Sequence, residues 1–267
     1  MPRYLPTLLL TAAMLAGCAS APHRTGSGDF FEREVFVDGR AHRYQVFVPA
    51  RAVAPEAAPV ILFLHGSGER GDDNRRPASV GLGPYVRSRA ADFPAIVVFP
   101  QVPRDGEWNQ MAEVALAQLE EATREFGGDP DRTYLTGLSM GGYGTWDLAL
   151  RAPGRFAALV PVCGGLVHPR RPSMAVGGLE GEADPYAAVA RRLRDTPVWI
   201  FHGARDEAVP VEYSRRLDDA FRATGARDAR YTEFPDADHN SWDAAYATPQ
   251  LWDWLFAQVR PGATGQR

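Results

Sequence analysis

The chain has 267 residues, 45% of them hydrophobic and 23% charged, and a formal net charge of −4. That length supports one large domain, or at most two small ones, and nothing in the mildly acidic balance suggests a nucleic-acid surface. All 29 cationic residues are Arg; without lysine there is no P-loop lysine, Schiff-base lysine or Ser-Lys dyad.

Residues 1–20 read MPRYLPTLLLTAAMLAGCAS. Arg3, the apolar stretch Leu5–Leu15 and the small residues after it have the layout of a secretory signal, too short to cross a bilayer as a stable helix. Leu15-Ala16-Gly17-Cys18 resembles the lipobox of bacterial lipoproteins. The resemblance implies a signal peptide at 1–17, cleavage before Cys18 and lipid attachment at that cysteine. It also implies an exported, lipid-anchored protein, with Ala19 favouring the outer membrane and a site facing the periplasm or cell surface. A plain secreted protein is the alternative. Residues 18–29, rich in Ala, Gly, Ser and Pro, read as a flexible tether. Acylation of Cys18 would leave Cys163 without a disulfide partner, and its place after an apolar run suits a buried small hydrophobe.

From residue 30 to 260 the pattern is that of one catalytic domain, with 261–267 as a tail. Arg33–Val37 and His42–Val48 alternate around Asp38-Gly39, a hairpin signal. Pro59–Leu64, Ala95–Phe99, Thr133–Gly137, Phe156–Val162, Val198–Phe201 and Ala229–Phe234 read as strands buried on both faces. Helical patterns fall at Met111–Phe126, Met140–Arg151, Tyr186–Arg194, Val211–Ala223 and Trp242–Val259. This alternation predicts an α/β fold of about eight strands, mostly parallel, with an antiparallel N-terminal edge and flanking helices. Gly164–Asp184 is the one long irregular stretch and a candidate rim over a site.

Two glycine-rich segments carry chemistry. Gly66–Gly71, GSGERG, fits the dinucleotide fingerprint G-x-G-x-x-G, which requires a helix to open inside the motif. The next residues, Asp72-Asp73-Asn74-Arg75-Arg76-Pro77, are polar and turn-like, and Ala95–Phe99 is not followed by an acidic residue. The nucleotide reading therefore fails its own context. Gly137-Leu138-Ser139-Met140-Gly141 fits G-x-S-x-G between a strand and a helix, where a strained turn would expose the Ser139 hydroxyl. A serine needs a base and an acid that orients it. Among the downstream histidines, His239 lies in a loop after the last strand. His202 ends a strand and suits packing beside an acid loop, and His168 reads as an exposed loop residue. Asp206, in a loop leading into a helix, is the acid of choice over Glu207, Asp236 and Asp238.

HGSGERG, GLSMGGYG, HGARDEAVP and DADHNSW resemble, in order and spacing, the α/β-hydrolase superfamily. The closest likeness is to small bacterial carboxylesterases and predicted peptidases near the feruloyl, acetylxylan and polyhydroxybutyrate-depolymerase-like enzymes. It covers roughly 31–258 and implies a Ser139, Asp206, His239 triad. It also implies oxyanion donors from the backbone N–H of Met140 and from the loop after His65-Gly66, read here as Ser67. The implied activity is a serine hydrolase cleaving small or carbohydrate-linked esters, with no cofactor, no metal and no nucleic-acid partner. A peptidase of the prolyl-oligopeptidase type and a non-catalytic surface lipoprotein are the rivals. Trp108, Trp242 and Glu69 are candidates for substrate contact, against packing for the tryptophans and an internal Glu69–Arg70 ion pair.

Overall fold

A computed structural model of the chain describes residues 27–50, 57–168 and 170–260. The expected signal peptide, Cys18, most of the tether and the 261–267 tail lie outside these residues. The tether ends earlier than its composition indicates. Gly28 is buried and its N–H donates to Ala90 O, and Asp29 already opens the first strand. A side chain at Gly28 would collide with the Phe47 ring, so a residue that reads as linker is one that allows close packing.

The strands are β1 (Asp29–Val37), β2 (Arg40–Val48), β3 (Ala58–Leu64), β4 (Ile96–Pro100), β5 (Gly128–Leu138), β6 (Ala158–Val162), β7 (Val198–Gly203) and β8 (Ala229–Phe234). They form one sheet in the order β1-β2-β4-β3-β5-β6-β7-β8. The pairs β1–β2 and β2–β4 are antiparallel and the others parallel. Asp38 and Gly39, both at positive φ, make the tight turn of the first hairpin. The chain reverses direction across the sheet at β3, with β4 on one side of it and β5 on the other. Such a switch point opens a crevice beyond the carboxyl ends of the strands, where α/β proteins place their sites.

Seven α-helices occupy the described residues: α1 (Leu82–Ser88), α2 (Trp108–Phe126), α3 (Met140–Arg151), α4 (Pro185–Leu193), α5 (Glu212–Ala223), α6 (Trp242–Tyr246) and α7 (Pro249–Phe256). The two-residue period of β3 divides the core between them. Val60, Leu62 and Leu64 pack with Leu119 of α2, Trp146 of α3, Val189 of α4 and Phe221 of α5. Ile61 and Phe63 face the opposite layer, with Leu82 of α1, Tyr246 of α6 and Leu255 of α7. Each fully buried side chain of this size contributes roughly 2 kcal/mol, so the three layers hold one another.

Three elements depart from the sequence pattern. Strand β8 is half-exposed along its length instead of buried on both faces, because it closes the sheet and has a neighbour on one side only. The single helix expected over Trp242–Val259 is broken at Ala247-Thr248, and Pro249, which cannot donate an N–H, opens the second piece. Helix α1, containing Gly83 and Pro84, has no helical signature in sequence; Gly83 is needed because a Cβ there would overlap the Ala78 backbone.

Candidate active site

A strained turn joins β5 to α3. Ser139 sits there at φ 53°, ψ −117°, as the N-cap of α3, with its N–H donated to Val162 O at 2.9 Å. A non-glycine residue in that region costs on the order of 1–3 kcal/mol, which the surrounding structure must impose. Gly137 and Gly141 make it possible. A Cβ on Gly141 would overlap the Leu64 carbonyl, and one on Gly137 would overlap the backbone of Gly141. The turn thus presses β3, β5 and α3 together and leaves the Ser139 side chain half-exposed at the carboxyl end of the sheet.

Two residues from distant loops meet that hydroxyl. His239, in the loop after β8, places Nε2 2.9 Å from Ser139 Oγ, and its Nδ1 lies 2.7 Å from Asp206 Oδ2. Asp206 stands in the loop after β7 with its side chain fully buried, whereas His239 is 29% exposed. The second carboxylate oxygen, Oδ1, accepts the N–H groups of Ala208 and Val209, each at 2.8 Å. His202 adds a third contact, with Nε2 3.1 Å from Asp206 Oδ2 and 3.0 Å from Val209 O. Both neighbours of that nitrogen are acceptors, so it carries the proton, and Nδ1 accepts from the Ser214 hydroxyl at 2.7 Å. Burial alone would raise the Asp206 carboxyl. The hydrogen bonds from His202, His239 and Val209 outweigh it and hold the group well below the usual carboxylate range. The carboxylate stays charged and fixed in direction, which sets the tautomer of His239 with its Nε2 lone pair toward serine.

The loop after β3 approaches from the other side. A Cβ on Gly66 would lie 2.8 Å from Leu138 Cδ1 and 3.6 Å from Ser139 Cβ, so no side chain fits between this loop and the serine. Ser67 opens a 3-10 turn over Ser67–Glu69, and no α-helix begins within Gly66–Gly71, as a nucleotide fingerprint would require. Met140 is the first residue of α3. The N–H groups of Ser67 and Met140 have no acceptor among the described residues, as expected at the start of a helical turn. Met140 follows Ser139 directly, and Ser67 follows Gly66, whose backbone comes close to the serine from the β3 loop.

His65 anchors this loop. Its Nδ1 lies 2.6 Å from Gly66 O and its Nε2 3.0 Å from the Val102 N–H, an arrangement that suits only the neutral ring with the proton on Nδ1. Burial pushes its pKa down to about 4, from 6.5 for a free imidazole. Between those values the unfolded chain binds the extra proton and the folded one does not. Stability from this group is therefore complete above pH 6.5 and falls as the pH drops toward 4, by about 3 kcal/mol. Urea midpoints at pH 7 and 4.5 are expected to show this fall, reduced in His65→Gln. Equal pH slopes in the two proteins would contradict it.

The remaining candidates sort differently. Trp108 is 2% exposed and donates its indole N–H to His65 O at 2.9 Å. It packs beneath the loop against Gly144 of α3 and offers no face to a substrate. Trp242 is half-buried, its ring meeting that of His239 edge-on at 5.5 Å, in a groove it shares with Arg205, Glu207 and Asn240. Glu69 turns back over its own loop, with burial raising its carboxyl, and makes no pair with Arg70. Arg70 pairs instead with Glu107, the N-cap of α2. His168 is 8% exposed rather than exposed as its loop position suggested. Its Nδ1 accepts from Arg170 N at 3.2 Å. Cys163 is fully buried below the site. Sequence reasoning missed Glu107 and Arg171 as parts of this region. Both lie in irregular segments, and they meet across 64 residues.

The sheet order, the serine turn and the loops that meet at it define an α/β-hydrolase fold. A poly(3-hydroxyoctanoate) depolymerase of Pseudomonas fluorescens is 28% identical over 197 residues, 66% of this chain and 66% of that protein. Among solved structures, a thermostable esterase superposes with a TM-score of 0.69 at 29% identity, covering 87% of this chain and 64% of the esterase. An acylaminoacyl peptidase of Pyrococcus horikoshii has a TM-score of 0.66 at 17% identity, covering 88% of this chain and 42% of its own length. The matched region is thus just under two thirds of the depolymerase and of the esterase. The peptidase likeness speaks to the fold alone. No protein-family model matches the chain.

Proposed function

We propose that the protein is a serine hydrolase that cleaves carboxylic esters through an acyl-enzyme intermediate. The observation that carries this reading is the hydrogen-bonded line from Ser139 Oγ through His239 to the buried Asp206 carboxylate. In the proposed cycle His239 Nε2 takes the Ser139 proton as Oγ attacks the ester carbonyl. The Met140 and Ser67 N–H groups receive the developing oxyanion, each worth on the order of 3 kcal/mol. His239 then protonates the leaving alcohol, and activates the water that releases the acyl group. The likeness to a depolymerase and to an esterase supports ester over amide substrates. Small and carbohydrate-linked esters are the proposed class, the half-buried Trp242 beside His239 offering a partly open aromatic surface. The experiment is a parallel assay of aryl acetates, feruloyl sugars and peptide amides, with fluorophosphonate labelling as the count of competent sites. Turnover of at least one ester class with labelling at Ser139 is expected. Cleavage of peptide amides alone, or no labelling at all, would overturn the reading.

A further inference from the structure

The irregular segment after β6 reaches the oxyanion loop through one side chain. Arg171 donates from Nη1 to Ser67 Oγ at 2.9 Å and from Nη2 to Glu107 Oε1 at 3.1 Å. Glu107 is 8% exposed at its side chain and is a hub. Its Oε2 accepts Arg70 Nη2, its Oε1 also accepts Ser173 Oγ at 3.3 Å, and it caps α2 in a reciprocal pair with Gln110. Arg70 belongs to the oxyanion loop itself and donates from Nε to Gly106 O at 2.6 Å. One carboxylate therefore grips that loop twice, directly through Arg70 and across the cleft through Arg171 and Ser67.

The consequence lies in Ser67, whose hydroxyl and N–H belong to the same residue. The residue opens a turn of only three residues, its side chain is half-exposed, and its N–H has no acceptor within the described chain. Left alone, such a short 3-10 turn holds its first peptide weakly. A planar guanidinium fixed on one side by a buried carboxylate is a rigid post for the hydroxyl.

We propose that Arg171 is a positioning residue which, by tying Ser67 Oγ to Glu107, aims the Ser67 N–H at the oxyanion. This rests on the oxyanion role given to Ser67 in the proposed function. It assigns to the segment 164–184 a part in turnover beyond that of a rim, because the segment carries the post that completes the donor pair.

The test is a double-mutant cycle on 4-nitrophenyl acetate, with thermal midpoints recorded for each protein. Arg171→Ala and Ser67→Ala are each expected to lower kcat about tenfold with KM within about twofold, since the N–H is kept and only its aim is lost. Ser67→Ala changes no charge and tests the tie even if Arg171→Ala folds poorly. The double variant is expected to be no slower than the slower single variant, because both cut one connection. Arg171→Lys, whose single ammonium replaces the two-pronged guanidinium with looser geometry, is expected to recover part of the loss. An unchanged kcat in Arg171→Ala, an effect confined to KM as for direct substrate binding, or multiplicative losses in the double variant would each overturn the proposal. Should the wild-type protein hydrolyse no ester, the esterase reading fails. The rate of Ser139 phosphonylation by a fluorophosphonate still reads the loop, and equal rates in wild type and Arg171→Ala would then overturn the positioning role.

Discussion

Ser139→Ala is expected to lower kcat by about 10⁶-fold while leaving the thermal midpoint within a few degrees of the wild-type value. The hydroxyl makes one side-chain hydrogen bond, to His239, and points into the half-exposed end of the sheet, so its removal opens no core cavity. The backbone strain at φ 53° remains, since alanine bears the same Cβ in the same left-handed region. Glycine does not, and Ser139→Gly is expected to be equally inactive yet more stable than the alanine variant by about 1 kcal/mol. The pair therefore separates two contributions of one residue: the oxygen serves chemistry, and the Cβ costs stability. Steady-state rates and calorimetric midpoints for both variants check this. Wild-type turnover in either would end the nucleophile assignment.

Asp206→Asn is expected to lower kcat by about 10⁴-fold, the size of effect seen when a triad acid is made neutral. The surroundings dictate which way the new amide must turn. Oδ1 accepts two backbone N–H groups, from Ala208 and Val209, so the amide oxygen has to stay there. The –NH₂ then takes the Oδ2 place, facing His239 Nδ1 and His202 Nε2. His202 Nε2 already carries a proton, so two donors meet, and His239 can accept from the amide only by moving its own proton to Nε2. That tautomer turns an N–H toward Ser139 and has no lone pair to receive the hydroxyl proton. A loss of activity that recovers no turnover at higher pH is expected, because a wrong tautomer is not repaired by deprotonation. A tenfold loss or less in the pH-rate profile would show that the acid lies elsewhere.

Much of this site was legible because its geometry leaves few residue choices. The elbow needs glycines at 137 and 141 because Cβ atoms there would overlap backbone, and those glycines are visible in the sequence. Asp206 and His239 follow strands whose apolar runs mark their ends, so loop position narrowed the choice, and the resemblance in motif order favoured Asp206 over its neighbours Glu207, Asp236 and Asp238. Trp108 shows the limit. An aromatic after a strand is as consistent with a cleft wall as with a core, and the sequence does not say which way its ring turns. The available signal was Gly144, a glycine inside a helix, whose missing side chain makes room for that ring. Glu107 and Arg171 had no signal of this kind. They are charged residues in irregular segments, where surface solvation is the default, and only the tertiary fold shows that a buried carboxylate joins them. The helix over Trp242–Val259 failed for a different reason, since its apolar pattern runs on across the break and Pro249 was the sole mark of a new start.

The sheet order also divides the machinery by anchorage. The serine and the two backbone N–H groups beside it follow β3 and β5, central strands of which β3 is buried throughout and β5 from Thr133 to Leu138. The histidine hangs from β8, the half-exposed outer strand, paired on one side only. Partial openings of a native protein begin where few buried contacts hold the backbone, and an outer strand of this kind is such a place. The proposed proton acceptor and the proposed nucleophile consequently belong to regions of unequal tenacity. Under mild heat or denaturant the His239 loop is expected to loosen while the turn at Ser139 stays folded, leaving a well-formed serine without its histidine partner.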